Sequence, residues 1–269
     1  MIRMITDEFV FCVDSDGCAM DTMTYKHQLF FGPLAVEVFH IEDKQSFLKE
    51  WDRVNLFSKT RGVNRFVGLL MGLEFAKHAP IEAFKDWVEN TSSLSNASLE
   101  KAIADNPSED LKKALEWSNL VNSHIKDYEG EALAFPGTVE GLDALHELGK
   151  VFVVSSANKE AVEEEWNDQG LMSHIDDLYC QDRGKKEDVI ASLILQGYAP
   201  EKIMMIGDSP GDLAAAQQNG VAFYPILVGD EAKSWEELAN SVGKAFVEGN
   251  FTEENQEQVI AQFWHNLEN

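Results

Sequence analysis

Acidic residues follow two apolar segments that lie far apart in the sequence. Asp14-Ser15-Asp16-Gly17 comes directly after Phe9–Val13, and Gly207-Asp208-Ser209-Pro210-Gly211-Asp212 comes directly after Ile203–Ile206. Short apolar runs predict buried strands, and open α/β sheets bind ligands at the carboxyl ends of their strands. Mg²⁺ prefers carboxylate, water and phosphate oxygens as ligands. The two segments therefore predict a Mg²⁺ site for phosphoryl chemistry, with Asp14 and Asp208 as ligands.

The second acid of each segment is open to two interpretations. Asp14 and Asp16 are two residues apart, so their side chains point the same way if the strand continues through them, and Gly17 then lets the chain turn. Asp and Gly are also ordinary turn residues. Asp212 stands at the amino end of a predicted helix, where a carboxylate can act as a cap instead of a metal ligand.

A hydroxyl and two amines complete the candidate site. Ser155 follows the apolar run Val151–Val154, and a hydroxyl beside backbone N–H groups at a helix start suits a phosphate. The alternative is that Ser155, Ser156 or Asn158 is only the N-cap of the helix. Lys185 and Lys186 precede a helical pattern, and one of them could offset the charge of a phosphate. We prefer Lys186 with Lys185 second, and a solvated pair is the alternative.

The remaining pattern predicts an α/β protein with an insertion. From about residue 133 strands and helices alternate, which predicts a Rossmann-like parallel sheet flanked by helices, with one of those helices starting at Asp212. Residues 23–132 show helical periodicity throughout and predict an all-helical inserted domain. We therefore expect residues 1–22 and 133–269 to form the core domain.

Composition and charge narrow the class of protein. The chain has 269 residues, 44% of them hydrophobic, and a formal net charge of −25. Such an excess of negative charge disfavours nucleic acid and anionic membranes as partners. Three cysteines with no metal-binding spacing predict reduced thiols, and no apolar run approaches the length of a membrane span. With no secretory signal pattern, we expect a cytoplasmic enzyme, while the oligomeric state is not predicted.

Four segments together resemble the haloacid dehalogenase (HAD) superfamily of hydrolases, in the branch that includes helical-cap phosphatases and phosphoglucomutases. They are Asp14-Ser15-Asp16-Gly17, Ser155, Lys185-Lys186 and Gly207-Asp208-Ser209-Pro210-Gly211-Asp212. Asp21-Thr22 and His27 are also similar to the family's entry into its cap. The resemblance extends over the whole chain and implies that residues 23–132 are the cap domain. His27 itself is expected to have a structural role.

The resemblance implies a role for each site residue. Asp14 would be the nucleophile that forms an aspartyl-phosphate, and Asp16 would act as the general acid and base. Ser155 and Lys186, or Lys185, would bind the phosphate. Mg²⁺ would be held by Asp14, the backbone carbonyl of Asp16, Asp208 and Asp212, the last of which could also be only a cap.

The expected activity is a Mg²⁺-dependent phosphatase acting on a small phosphorylated metabolite. Arg61 lies in a basic stretch, Lys59–Phe66, that could bind an anionic part of the substrate, although a helix-to-helix turn capped by Asn64 is the alternative. A phosphomutase of the β-phosphoglucomutase type is the second reading of the motifs. A non-catalytic binding module is a third, from a different class.

Overall fold

The computed structural model of the protein describes residues 6–267. Contacts within the chain divide it into two compact units. One, here called the sheet unit, comprises Met1–Thr22 and Ala132–Asn269, and the other, the helical unit, comprises Met23–Glu131. The sheet unit resumes at Ala132, one residue before the start at 133 that the sequence predicted.

The helical unit consists of helices packed around a core rich in aromatic side chains. Asp43, Asn64 and Ser95 cap three of these helices by accepting backbone N–H groups through their side chains, so Asn64 is a cap, as the alternative interpretation of its segment expected. Trp51 and Trp117 are buried in the core with ring centroids 6.0 Å apart. The helices are α1 Met23–Tyr25, α2 Gly32–Val38, α3 Lys44–Asp52, α4 Arg65–Phe75, α5 Glu82–Asn90, α6 Asn96–Asp105 and α7 Glu109–Lys126, with π-helical turns at Lys26–Phe31 and Arg53–Phe57.

A five-stranded parallel sheet forms the centre of the sheet unit. Its strands run in the order β3-β2-β1-β4-β5, so the first strand in the sequence is the middle one in space. The predicted fold class, a parallel α/β sheet, is confirmed. The strands are β1 Val10–Val13, β2 Lys150–Val154, β3 Asp177–Tyr179, β4 Ile203–Gly207 and β5 Ala222–Pro225.

Apolar side chains cover both faces of this sheet. Phe11 and Val13 of β1 belong to one buried cluster, whereas Val10 and Cys12 belong to another, because successive side chains of a strand point to opposite faces. Burial on both faces explains why the strands are continuous apolar runs rather than alternating ones.

Helices flank the sheet, and one of them begins earlier than expected. The sequence predicted a helix from Asp212, but it begins at Pro210 with Ser209 as its N-cap. Proline suits the first helical position because its fixed φ is helical and its missing N–H would have no partner there. Within residues 6–267 no helix is both long and apolar enough to cross a membrane. The helices are α8 Thr138–Leu148, α9 Lys159–Asp168, α10 Lys186–Gln196, α11 Pro210–Asn219, α12 Glu231–Glu237, α13 Gly243–Val247 and α14 Glu253–Asn266, with a π-helical turn at Leu238–Val242 and 3₁₀ turns at Leu171–His174, Gln181–Arg183 and Pro200–Lys202.

Candidate active site

The strand register brings three predicted site residues to one edge of the sheet. Val13, the last residue of β1, pairs with Val153 on one side and Ile206 on the other. The residues that follow these positions include Asp14, Ser155 and Asp208, each buried. The edge lies at the carboxyl ends of the central strands, where the sequence predicted the ligand site.

Both carboxylate oxygens of Asp14 have defined partners. Oδ1 accepts the backbone N–H of Ser15 at 2.8 Å, and Oδ2 lies 2.7 Å from Nζ of Lys186. The main chain of Asp14 is fixed too, because its N–H donates to the carbonyl of Ile206 at 3.0 Å. The carboxylate therefore has one orientation, set by a backbone amide and an ammonium group.

Lys186, rather than Lys185, faces the carboxylates. Its Nζ also lies 2.5 Å from Oδ1 of Asp212, whereas Lys185 is exposed at the N-cap of α10. Burial by itself would lower the pKa of Lys186, but the charges of Asp14 and Asp212 outweigh burial and raise that pKa above its usual value. The amine therefore remains a cation between the two acids.

Asp212 is the buried centre of the turn between β4 and α11. Its Oδ2 accepts the backbone N–H groups of Asp208 and Ser209, at 3.1 and 3.0 Å, and the Ser209 hydroxyl at 2.8 Å. Asp212 and Ser209 form a capping box, so the cap interpretation describes the observed role of this carboxylate. Gly207 makes this possible because a Cβ there would lie 2.3 Å from Asp212 Cγ.

The cluster has the donors that a divalent cation requires. One carboxylate oxygen from each of Asp14, Asp208 and Asp212 lies within 4.8 Å of the others, and all three residues are buried. Three carboxylates face one ammonium, which leaves two formal negative charges. Hard oxygen donors with that excess charge fit Mg²⁺. Oδ2 of Asp212 accepts three hydrogen bonds and its Oδ1 pairs with Lys186, so a cation bound by Asp212 would compete with these contacts.

Burial and neighbouring charges act in opposite directions on Asp14. Burial raises its pKa well above the usual value, Lys186 lowers it, and Asp212 and Asp208 raise it again. A cation bound between these carboxylates would favour the ionised form of Asp14. The site therefore needs positive charge to keep its candidate nucleophile ionised.

Asp16 lies in a turn and not in an extension of the strand. Strand β1 ends at Val13, and Gly17 has a φ of +82°, a conformation that favours glycine. The condition under which Asp14 and Asp16 would point the same way is therefore not met. Oδ1 of Asp16 accepts the hydroxyl of Thr22 in a short contact. The role of Asp16 as general acid and its backbone contact to a metal stay predictions.

Ser155 follows β2 but does not cap the next helix. Its Oγ accepts the N–H of Ala157 at 3.1 Å, while the N-cap of α9 is Asn158, whose side chain accepts the N–H of Ala161. The alternative of an N-cap therefore applies to Asn158. Binding of phosphate by Ser155 stays a prediction.

Two arginines of the helical unit differ in their surroundings. Arg61 is buried, with 3% of its surface exposed, and donates to the carbonyl of Leu56 at 2.7 Å. Arg65 donates to Asn122 Oδ1 at 2.7 Å and to Ser118 Oγ at 3.2 Å, and its guanidinium lies over the ring of Phe31. Burial lowers the pKa of Arg65 to about 10. Contact between Arg61 and a substrate stays a prediction.

The sequence did not reveal that two tryptophans contact the loop Asp14–Cys18, which carries the candidate nucleophile. Trp166 Nε1 donates to Ser15 Oγ at 2.8 Å, and Trp235 Nε1 donates to the carbonyl of Cys18 at 2.9 Å. Both side chains are fully buried. Apolar periodicity predicts that a tryptophan is buried, but it gives no information on the partner of the indole N–H.

Comparison with known proteins assigns the family. The sequence model of the haloacid dehalogenase-like hydrolases matches residues 76–226, which is more than half of the chain. The protein therefore belongs to the haloacid dehalogenase-like hydrolase family, as the motifs predicted. A search of curated protein sequences finds no match.

Solved structures support the fold. A proposed phosphoglycolate phosphatase from Lactobacillus delbrueckii subsp. bulgaricus is 14% identical, with a TM-score of 0.54 over 92% of this chain and 99% of its own. A predicted phosphoglycolate phosphatase from Haemophilus somnus is 13% identical, with a TM-score of 0.51 over 82% and 85%. CbbY from Rhodobacter sphaeroides, in complex with phosphate, is 14% identical, with a TM-score of 0.50 over 81% and 85%. At these identities the likeness concerns the fold.

Proposed function

We propose that the protein is a Mg²⁺-dependent phosphatase that hydrolyses a small phosphorylated metabolite through a phosphorylated Asp14. One observation carries the proposal: the Asp14 carboxylate is held between the Ser15 N–H and the Lys186 ammonium, beside the buried Asp208. Phosphoryl transfer depends mainly on positioning and on cations that stabilise the charge of the phosphoryl oxygens. Lys186 supplies one such cation.

Each residue has a defined part in the proposed reaction. Asp14 attacks phosphorus through a carboxylate oxygen, and the bond between phosphorus and the leaving oxygen breaks. Asp16 donates a proton to the departing alkoxide and later takes one from the water that releases phosphate. Ser155 donates its hydroxyl to a phosphate oxygen. Mg²⁺, held by Asp14, Asp208 and the backbone carbonyl of Asp16, would add positive charge at the phosphate.

Recognition of the rest of the substrate is assigned to the helical unit. We propose that this unit is the cap domain, which excludes water and selects the leaving group. Arg65 supports this role because its partly buried guanidinium contacts an amide, a hydroxyl and a ring, and these neutral groups leave its charge available to an anion. In a chain with a net charge of −25, such local cations must attract the substrate. Cytoplasmic location and the absence of nucleic-acid or membrane partners stay predictions.

Hydrolysis of a substrate panel tests the proposed function. Purified protein is incubated with phosphorylated sugars, nucleotides and small acids, with Mg²⁺ or with EDTA, and phosphate release is measured. We expect hydrolysis of at least one compound with Mg²⁺ and none with EDTA. Asp14→Asn should reduce the rate by at least about 10³-fold, because the amide cannot form the intermediate. Asp182→Asn is the control, since Asp182 is half exposed.

Three outcomes would contradict the proposal in different ways. Near-normal hydrolysis by Asp14→Asn would show that Asp14 is not the nucleophile. Isomerisation of a sugar phosphate without release of phosphate would indicate a phosphomutase, in which Asp14 passes its phosphoryl group to a second hydroxyl. No binding of Mg²⁺ by the purified protein would favour the non-catalytic binding module.

A further inference from the structure

A buried indole donates a hydrogen bond to the loop that carries the candidate nucleophile. Trp166 lies on α9, with no exposed surface, and its Nε1–H donates to Oγ of Ser15, which is also fully buried. The donor-to-acceptor distance is 2.8 Å, and 151 residues separate the two partners in the sequence. A side-chain hydrogen bond thus joins the first motif to a helix of the sheet unit.

Ser15 is the residue through which this contact reaches the reacting group. Its backbone N–H donates to Oδ1 of Asp14 at 2.8 Å. Its carbonyl accepts the backbone N–H groups of residues 18, 19 and 20. A change in the position of Ser15 therefore moves both the amide that orients the carboxylate and the turn that contains Asp16.

We infer that Trp166 is a positioning residue for phosphoryl transfer: it fixes Ser15, and through Ser15 it fixes the orientation of the Asp14 carboxylate. This inference rests on the proposed function. Pre-organisation of a reacting group matters because small misplacements of a nucleophile lower the rate steeply. Trp166 does not contact the reacting atoms, so its effect is indirect.

The position of Trp166 in the fold adds a second connection. Helix α9 begins directly after the segment that contains Ser155, with Asn158 as its N-cap. One rigid helix therefore joins the predicted phosphate-binding segment, at its amino end, to the nucleophile loop through Trp166 near its carboxyl end.

Trp235 provides a matched comparison, because its indole donates to a residue of the same loop. It is fully buried on α12, and its Nε1–H donates to the carbonyl of Cys18 at 2.9 Å. Trp235→Phe removes the same N–H group from the same kind of environment as Trp166→Phe. Its acceptor is the Cys18 carbonyl and not the Ser15 side chain, so the variant should lower stability while Ser15 keeps its hydrogen bond from Trp166.

Steady-state kinetics on a substrate found in the panel give the first test. We expect Trp166→Phe to lower kcat by about three- to tenfold, the equivalent of one buried hydrogen bond, with KM nearly unchanged. Trp235→Phe should keep kcat within about twofold. The double variant Ser15→Ala/Trp166→Phe should lower kcat no more than the more impaired of the two single variants, because both substitutions remove the same hydrogen bond. Additive losses, or equal kcat values for the two Phe variants, would overturn the inference.

Measurements without substrate separate this inference from the proposed function. The ¹⁵N–¹H indole resonance of Trp166, assigned by its loss in Trp166→Phe, should shift on Ser15→Ala. The Kd for Mg²⁺ measured by calorimetry should rise at least about threefold in Trp166→Phe and stay unchanged in Trp235→Phe. A wild-type protein without phosphatase activity would overturn the proposed function alone. An unmoved resonance with an unchanged Kd would overturn the positioning role.

Discussion

Lys186 Nζ lies 2.5 Å from Oδ1 of Asp212, so the first residue of α10 is paired with a carboxylate in the first turn of α11. The same ammonium lies 2.7 Å from Asp14. One cation thus joins segments that follow β1, β3 and β4. Because an unpaired buried carboxylate is costly, this lysine stabilises the site, and in the proposed reaction it would also offset the charge of a phosphate.

Replacement of Lys186 by Met should lower both activity and stability. Removing the cation leaves two buried carboxylates uncompensated, so we expect a loss of about 3–5 kcal/mol in the free energy of unfolding. The rate of phosphate release should fall by about 10²–10³-fold, as when one charge-stabilising donor is removed from an active site. Urea unfolding and kinetics measure the two effects. Lys185→Met is the matched control, and equal effects of both variants would contradict the assignment.

Asp212 should act by positioning its neighbours and only weakly as a metal ligand. In Asp212→Asn the amide oxygen can still accept the N–H groups of Asp208 and Ser209, while the ion pair with Lys186 is lost. We expect a smaller rise in the Kd for Mg²⁺ than in Asp208→Asn, measured by calorimetry. A larger rise in Asp212→Asn would show that Asp212 is the main ligand.

Two glycines of the same motif should respond in opposite ways to alanine. A Cβ at Gly207 would lie 2.3 Å from Asp212 Cγ, and that carboxylate is fixed by its hydrogen bonds. Gly207→Ala should therefore cost about 1–3 kcal/mol of stability and displace Asp212. At Gly211 the nearest atom is Ser209 Oγ at 3.5 Å, so Gly211→Ala should be neutral or stabilising by up to about 1 kcal/mol. Thermal denaturation would distinguish the two, and similar Tm values would show that the turn adapts.

The stability of the sheet should depend on pH through Asp176. Burial raises the pKa of Asp176, but the N–H of Val151 and the ammonium of Lys150 outweigh burial and lower that pKa below its usual value. Because the pKa is lower in the folded state, the ionised Asp176 stabilises the fold at any pH above the unfolded pKa of about 3.9. This stabilisation is lost as the pH falls through the folded pKa. Asp176→Ala should therefore cost about 1–2 kcal/mol at pH 7 and much less near pH 2.

Urea unfolding at both pH values measures this difference. Asp182→Ala is the control, because Asp182 is half exposed and its contact with Arg183 is 3.7 Å long. A loss in Asp176→Ala of the same size at both pH values would show that the effect comes from packing and not from the charge.

The sequence by itself determined the strands and the kinds of residue at the site. Continuous apolar runs followed by Asp14, Ser155 and Asp208 are local patterns, because burial on both faces of a parallel sheet requires apolar residues at every position. The helical insertion was predictable because its apolar residues recur with the period of a helix, and the sheet because apolar runs alternate with helical patterns. The family followed from the order of the motifs.

Only the tertiary structure decided which side chains meet. The choice of Lys186 over Lys185, the three donors to Asp212 and the indole of Trp166 on Ser15 each join residues that are brought together by strand order and helix packing. Local sequence sets the conformation of a segment and whether it is buried. The partner of a buried polar group is set by what the fold places within about 3 Å of it, and that depends on the whole chain.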